Sequence, residues 1–196
     1  MPMTKQRLTR AAAGLLLVTA LAQPGTASAA SDSADTSTPI DAVTQLQTHT
    51  TANCVIDDNR CYFTTSANLM TPDGPTGFPD DLWARQTITV RSSDRDVWQE
   101  AEYSAPSGAP REAKGANHDN VLSKMYKAVT SVEISVTYFG GGPIERFQAD
   151  GESVPTDWVT GRPNTQAAFY ACSQIQVVYG GVNLTTPTAC GQTTFS

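Results

Sequence analysis

Val132-Glu133-Ile134-Ser135-Val136-Thr137-Tyr138-Phe139 alternates without a break: Val132, Ile134, Val136 and Tyr138 fall on one side, and the polar residues between them on the other. Alternation of β-branched and aromatic residues with small polar ones marks a half-buried strand. Gly140-Gly141-Gly142-Pro143 ends the run with residues that neither strand nor helix carries through. Ile144–Ala149 then reads as the returning hairpin partner, and Asp150-Gly151 as a further turn.

The same pattern recurs on both sides. Ala84–Arg91 sets Ile88 and Val90 against Thr87 and Thr89, and Val97–Tyr103 sets Trp98, Glu100 and Glu102 against Val97, Gln99, Ala101 and Tyr103. Ser92–Asp96 between them reads as a hairpin loop. Arg60–Thr65 is β-branched and aromatic. Ala167–Tyr179 forms a long strand with Phe169, Ala171, Ile175, Val177 and Tyr179 on its apolar face, and Gly180-Gly181 turns it into Val182–Thr185. Helical spacing occurs twice. Ile40, Val43 and Leu46 are three residues apart, and Asp119 or Asn120 caps a stripe of Val121, Leu122, Met125 and Val129. The fold class expected is all-β, or β-rich α+β: an antiparallel sandwich or barrel of about six to eight strands, with one short helix near 120–128.

Before this pattern begins, Lys5, Arg7 and Arg10 precede the apolar run Ala11–Ala22 and the small-residue site Ala27-Ser28-Ala29. That is the layout of a signal peptide over residues 1–29. The apolar run is too short to cross about 30 Å of hydrocarbon, so no membrane span is expected. Residues 30–52, rich in Ser, Thr and Asp, read as a flexible tether, and 53–196 as one secreted β-domain. Cleavage after Ala29 removes three basic residues and no acidic one, which moves the net charge from −6 to about −9. A chain this acidic, without a Lys/Arg cluster, is not expected to bind nucleic acid. All four cysteines follow the leader. Local pairing, Cys54 with Cys61 and Cys172 with Cys190, is the simplest of three connectivities, each bridge stabilising by roughly 2–4 kcal/mol.

Catalytic signatures are missing. There is no G-x-S-x-G elbow, H-E-x-x-H, phosphate loop or dinucleotide fingerprint. His49 and His118 are the two histidines able to serve as near-neutral acid or base. Strand carboxylates Glu100, Glu102, Glu133 and Glu145 offer the other route, with Glu100 and Glu102 about 7 Å apart on one face. Asp57-Asp58 and Asp80-Asp81 are acidic turns without the spacing of a calcium loop, so neither metal nor cofactor is expected. Asn183-Leu184-Thr185 matches the glycosylation triplet, a chance match if the leader is bacterial.

What remains is contact chemistry. Phe78, Trp83 and Trp158 lie in or beside the long loops 71–83 and 104–119 and the loop before the last long strand, where aromatics stack on sugars or anchor a protein. Trp98, on a strand, is expected in the core. The expected function is a secreted binding domain for a polysaccharide or another extracellular protein. Alternatives are a secreted hydrolase using His118 or a carboxylate pair, and a protease inhibitor presenting Arg60 or Arg111.

Overall fold

Each of the four alternating segments is a strand in the computed structural model, which describes residues 30–196; the expected leader, 1–29, lies outside the described residues. In chain order the strands are β1 (Ser31–Pro39), β2 (Gln45–Val55), β3 (Arg60–Thr71), β4 (Gly74–Thr76), β5 (Trp83–Ser92), β6 (Val97–Ser104), β7 (Asn117–His118), β8 (Val121–Lys127), β9 (Ser131–Phe139), β10 (Gln148–Asp157), β11 (Phe169–Tyr179), β12 (Val182–Thr185) and β13 (Ala189–Thr193). A single 3-10 turn, Ile144–Phe147, is the only helical element among the described residues.

The strands form two antiparallel sheets. One runs β1-β2-β3-β10-β6 with β4 beside β3; the other runs β12-β11-β5-β9-β8-β7 with β13 beside β11. Inward residues of both sheets meet in a core that includes Leu46, Phe63, Ile88, Tyr103, Ile134, Tyr138, Phe147, Phe169 and Ile175. Stacking two one-sided sheets removes both apolar faces from water, which is the main stabilising contribution.

Hydroxyl and amide groups tie the sheets together inside this core. The Gln86 amide donates to Thr65 Oγ1 (3.1 Å) across the sheets and accepts from the Tyr138 hydroxyl (2.9 Å). Thr50 pairs with Ser173 at 2.7 Å, and Thr48 with Thr186 at 3.0 Å. Each satisfied pair holds the sheets in one relative position, because sliding would leave buried polar groups unpaired. Burial pushes the Tyr138 phenol well above its ordinary value.

Both disulfides join neighbouring strands as expected. Cys54–Cys61 links β2 to β3, and Cys172–Cys190 links β11 to β13.

Several sequence expectations are corrected. The tether is ordered: β1 pairs with β2 along nine residues, and β2 points Leu46, Thr48, Thr50, Ala52 and Cys54 into the core. Composition hid this because two of these five buried positions, Thr48 and Thr50, are threonines with hydrogen-bond partners. The helix expected over Pro39–Leu46 is a turn, closed by the Asp41 carboxylate accepting the amides of Val43 and Thr44. The helix near 120–128 is β8. Asp119 and Asn120, with φ of 49° and 61°, form the two-residue turn between β7 and β8. Asp and Asn suit a helix cap and a left-handed hairpin turn equally, so local sequence does not separate the two.

Neither the hairpin expected around Ser92–Asp96 nor the one expected after Gly140–Pro143 forms. β5 matches β11 over ten positions and β9 over nine, which leaves no edge for β6, so β6 crosses to the other sheet. Ile144–Phe147 likewise leads from β9 into β10 on the opposite sheet. Gly151 is not a turn but sits mid-strand in β10, where a side chain would overlap the Phe63 ring and the Glu102 carbonyl.

Candidate functional site

Alternation in β6 sends Val97, Gln99, Ala101 and Tyr103 inward and leaves Trp98, Glu100 and Glu102 on the outer face of the sheet. Across the ladder, Glu102 stands opposite Glu152 of β10, and Glu100 opposite Val154. Arg60, at the start of β3, is salt-bridged to Glu152. These residues, with Ala113 and the end of β8 at Lys127, line a groove of about 460 Å³.

Trp98 lines the groove and stacks on Trp158, ring centroids 5.6 Å apart at 29°. Trp158 remains 52% exposed, with Val159 beside it at 88%. The loop presenting them is braced rather than loose. Asp157 Oδ1 accepts the Thr160 amide (2.7 Å), the Thr160 hydroxyl (2.9 Å) and the Val159 amide (3.0 Å). The Trp158 amide donates to the Asp96 carbonyl at 2.9 Å. Those bonds, the Thr160 amide foremost, hold the Asp157 carboxyl below its ordinary value. The result is a fixed aromatic ledge next to a charged trough, able to stack a ring or an extended backbone and to hydrogen-bond hydroxyls or amides.

The aromatic candidates separate. Phe78 is buried, edge-on to Phe147 at 4.6 Å, so it packs the core and offers nothing to a partner. Trp83 is half-buried on the other sheet between Phe139 and Val178, at the end of β5 away from the Trp158 loop. Of the three, Trp158 adjoins the groove, through its stack on Trp98. The residue missed is Trp98. Its signal was present in the sequence: a strand face shared with Glu100 and Glu102 cannot be the face that packs the core.

The acid–base candidates scatter. His118, on β7, has Nε2 3.5 Å from Glu112 Oε1 and no hydrogen bond to it. His49, on β2, has Nδ1 2.6 Å from Asp35 and Nε2 2.8 Å from Asn68. Glu133 is exposed on the other sheet and Glu145 on the 3-10 turn. Glu100 and Glu102 are in the groove. Arg111 is bound to Asp150 at 2.8 Å and Arg60 to Glu152, so neither is a free side chain on a loop tip. Asp58 accepts the Tyr62 hydroxyl and Asp81 the Gly180 amide, while Asp57 and Asp80 stand beside them in the same turns. Among the described residues no group of three or more His, Cys, Asp or Glu side chains could hold a metal ion.

No protein-family model matches the chain, and no curated protein matches it in sequence. Solved structures resemble it weakly, among them two related to pore formation by their descriptions or names. One, described as a pore forming protein, is 5% identical with a TM-score of 0.24, covering 84% of this chain and 87% of its own. The other, the NetB toxin of Clostridium perfringens in its membrane inserted form, is 8% identical with a TM-score of 0.22, covering 85% and 92%. At such scores neither likeness bears on what this chain does.

Proposed function

We propose that this chain is an exported binding protein that captures an extracellular macromolecule, a polysaccharide or another protein, in the groove beside Trp98 and Trp158. The leader-like segment and the two disulfides support the exported location. The observation that carries the binding role is the stacked indole pair, Trp158 half exposed on its braced loop and Trp98 on β6, at a groove lined by Arg60, Lys127 and three glutamates. Aromatic anchors beside satisfied polar groups are the arrangement that dominates binding energy at contact surfaces.

Arrays of defined glycans and of defined peptides test this directly. Wild-type protein should mark a subset of spots, and the W98A/W158A double variant should lose that signal while keeping its denaturation midpoint within about 1 kcal/mol of wild type. Spots retained by the double variant would place the contact surface elsewhere.

One observation favours a second reading. Glu100 and Glu102, about 7 Å apart along one strand face, have the separation of an inverting glycosidase pair. Release of reducing ends from a bound polysaccharide by wild type, abolished in E100Q and E102Q, would establish hydrolysis. Binding without release would set it aside.

A further inference from the structure

The second sheet turns a polar face, poor in carboxylates, to solvent. Phe139, Trp83 and Val178 stand side by side on β9, β5 and β11. In the next row Arg85 stands beside Gln176, which pairs with Thr185 of β12, and in the row beyond Thr87 stands opposite Gln174. The β5 members of these rows point away from the core, because Ala84, Gln86 and Ile88 between them are buried. Successive rows lie about 7 Å apart along the strand. Arg85, Thr87, Gln174, Gln176 and Thr185 line a pocket of about 250 Å³.

The long side chains there are held in place and keep spare bonding capacity. Arg85 Nε donates to Ser135 Oγ at 2.9 Å, while Nη1 and Nη2 have no partner among the described residues. Gln174 Oε1 accepts the Thr188 hydroxyl and Gln176 Nε2 donates to Asn183 Oδ1, both at 3.1 Å. That leaves the Gln174 amide nitrogen, the Gln176 oxygen and the hydroxyls of Thr87 and Thr185 for a ligand. Arg60 and Arg111 are paired with Glu152 and Asp150, whereas no carboxylate among the described residues lies within ion-pair distance of Arg85. The outward residues of β5, β8, β9 and β11 include three cations, Arg85, Arg91 and Lys124, against one carboxylate, Glu133. Glu133 is four residues along β9, about 13 Å, from the position opposite Arg85. An acidic chain thus keeps one face positive. One row from Arg85, Phe139 (49% exposed) and Val178 (36%) flank the half-buried Trp83 as an apolar ledge.

We infer that this face is a second binding site, separate from the groove, and that its ligand is a glycan bearing carboxylates, a uronate chain. A pyranose ring stacks its apolar C–H face on an indole or phenyl ring, and its hydroxyls exchange hydrogen bonds with amides and hydroxyls. A ring carboxylate supplies the counter-ion that Arg85 lacks, in the geometry a guanidinium binds best. An acidic peptide would also meet Arg85, but its main chain needs partners, and the backbone groups of β5 are spent in its ladders with β9 and β11. The face offers side chains alone, and they match a ring with hydroxyls and one acid.

The test titrates the whole protein with the tetramers of galacturonate and mannuronate, the methyl ester of the galacturonate tetramer, and inorganic phosphate. Calorimetry and the side-chain amide resonances of Gln174 and Gln176 are the readouts. At least one uronate tetramer should bind and shift those resonances. Esterification and the R85Q variant should each weaken binding at least about tenfold, and F139S should weaken it through the lost stack. Both variants change exposed residues, so their denaturation midpoints should match wild type. W98A/W158A should bind the uronate as wild type does, which separates this site from the groove. On the arrays, uronate spots are accordingly read with R85Q and all others with W98A/W158A. Equal binding of acid and ester, or full binding by R85Q, overturns the site. So does uronate binding that W98A/W158A abolishes and R85Q does not, which assigns the uronate to the groove. Phosphate bound as tightly as the tetramer overturns the glycan in favour of a small anion. Absence of uronate binding overturns it as well, and leaves the groove to be decided by the remaining array spots.

Discussion

Gly151 shows how one residue decides local geometry against its own propensity. Glycine weakens a strand interior and reads as a turn from sequence, yet here it sits mid-strand between Phe63 and the Glu102 carbonyl. The missing side chain is the space that the Phe63 ring fills. Replacing Gly151 by alanine is therefore expected to destabilise the fold by about 1–3 kcal/mol through overpacking, with a loss of the same sign in groove binding because the neighbouring Glu152 and Glu102 must shift. Urea denaturation checks the first effect. An unchanged midpoint would show that Phe63 has another place to go.

At the scale of elements, the turn after β10 and the two disulfides carry separate predictions. Asp157 has its carboxyl pKa held low in the folded protein by the Thr160 and Val159 contacts. A depressed folded pKa contributes stability that is present above the unfolded value, near 3.8, and lost as the pH falls through the lowered one. The turn should therefore loosen below about pH 4, seen as a change in Trp158 emission. D157N, which cannot titrate, should show loosened emission at neutral pH and no such acid transition. The bridges differ in loop length, 7 residues for Cys54–Cys61 and 18 for Cys172–Cys190. Removing the longer should cost about 3 kcal/mol and the shorter about 2, if restriction of the unfolded chain dominates. Paired alanine variants compared by denaturation test that order.

Across the whole molecule the two flanks of the sandwich are unlike. On one, β1 reaches over to the second sheet: Thr36 Oγ1 donates to the Pro187 carbonyl at 2.8 Å, the Gln192 amide donates to Asp32 at 2.8 Å, and Thr193 donates to the Ala30 carbonyl. The other flank is crossed by the segment through Glu112 and Lys114, beside which the groove opens. β1 is thus a seal, and its worth lies in hydrogen bonds rather than apolar area, since its nine residues include only Ala34 and Pro39 as non-polar side chains. Deleting residues 30–39 should lower the denaturation midpoint and speed amide exchange in β2 and β13, leaving β8 and β9 least affected. Uniform loss of protection would mean that the sheets hold together only as one unit.

The identity of β5, β6, β9 and β11 as strands, the inward faces of β5, β9 and β11 and the local disulfide pairing were legible in the sequence, because they follow from period-two patterning and from the proximity of cysteines along the chain. The outward placement of Trp98 was legible too, through its company with Glu100 and Glu102. Partner choice was not. Whether β5 pairs with β6 or with β9 and β11 depends on which edges compete for it, and that is a property of the described strands taken together. The fate of residues 30–52 was equally hidden: threonines are buried there only because Ser173 and Thr186, more than a hundred residues away, supply their hydrogen bonds. The groove belongs to the tertiary structure for the same reason. Its lining comes from β3, β6, β8 and β10 and from Ala113, in the segment that passes from one sheet to the other after Glu112.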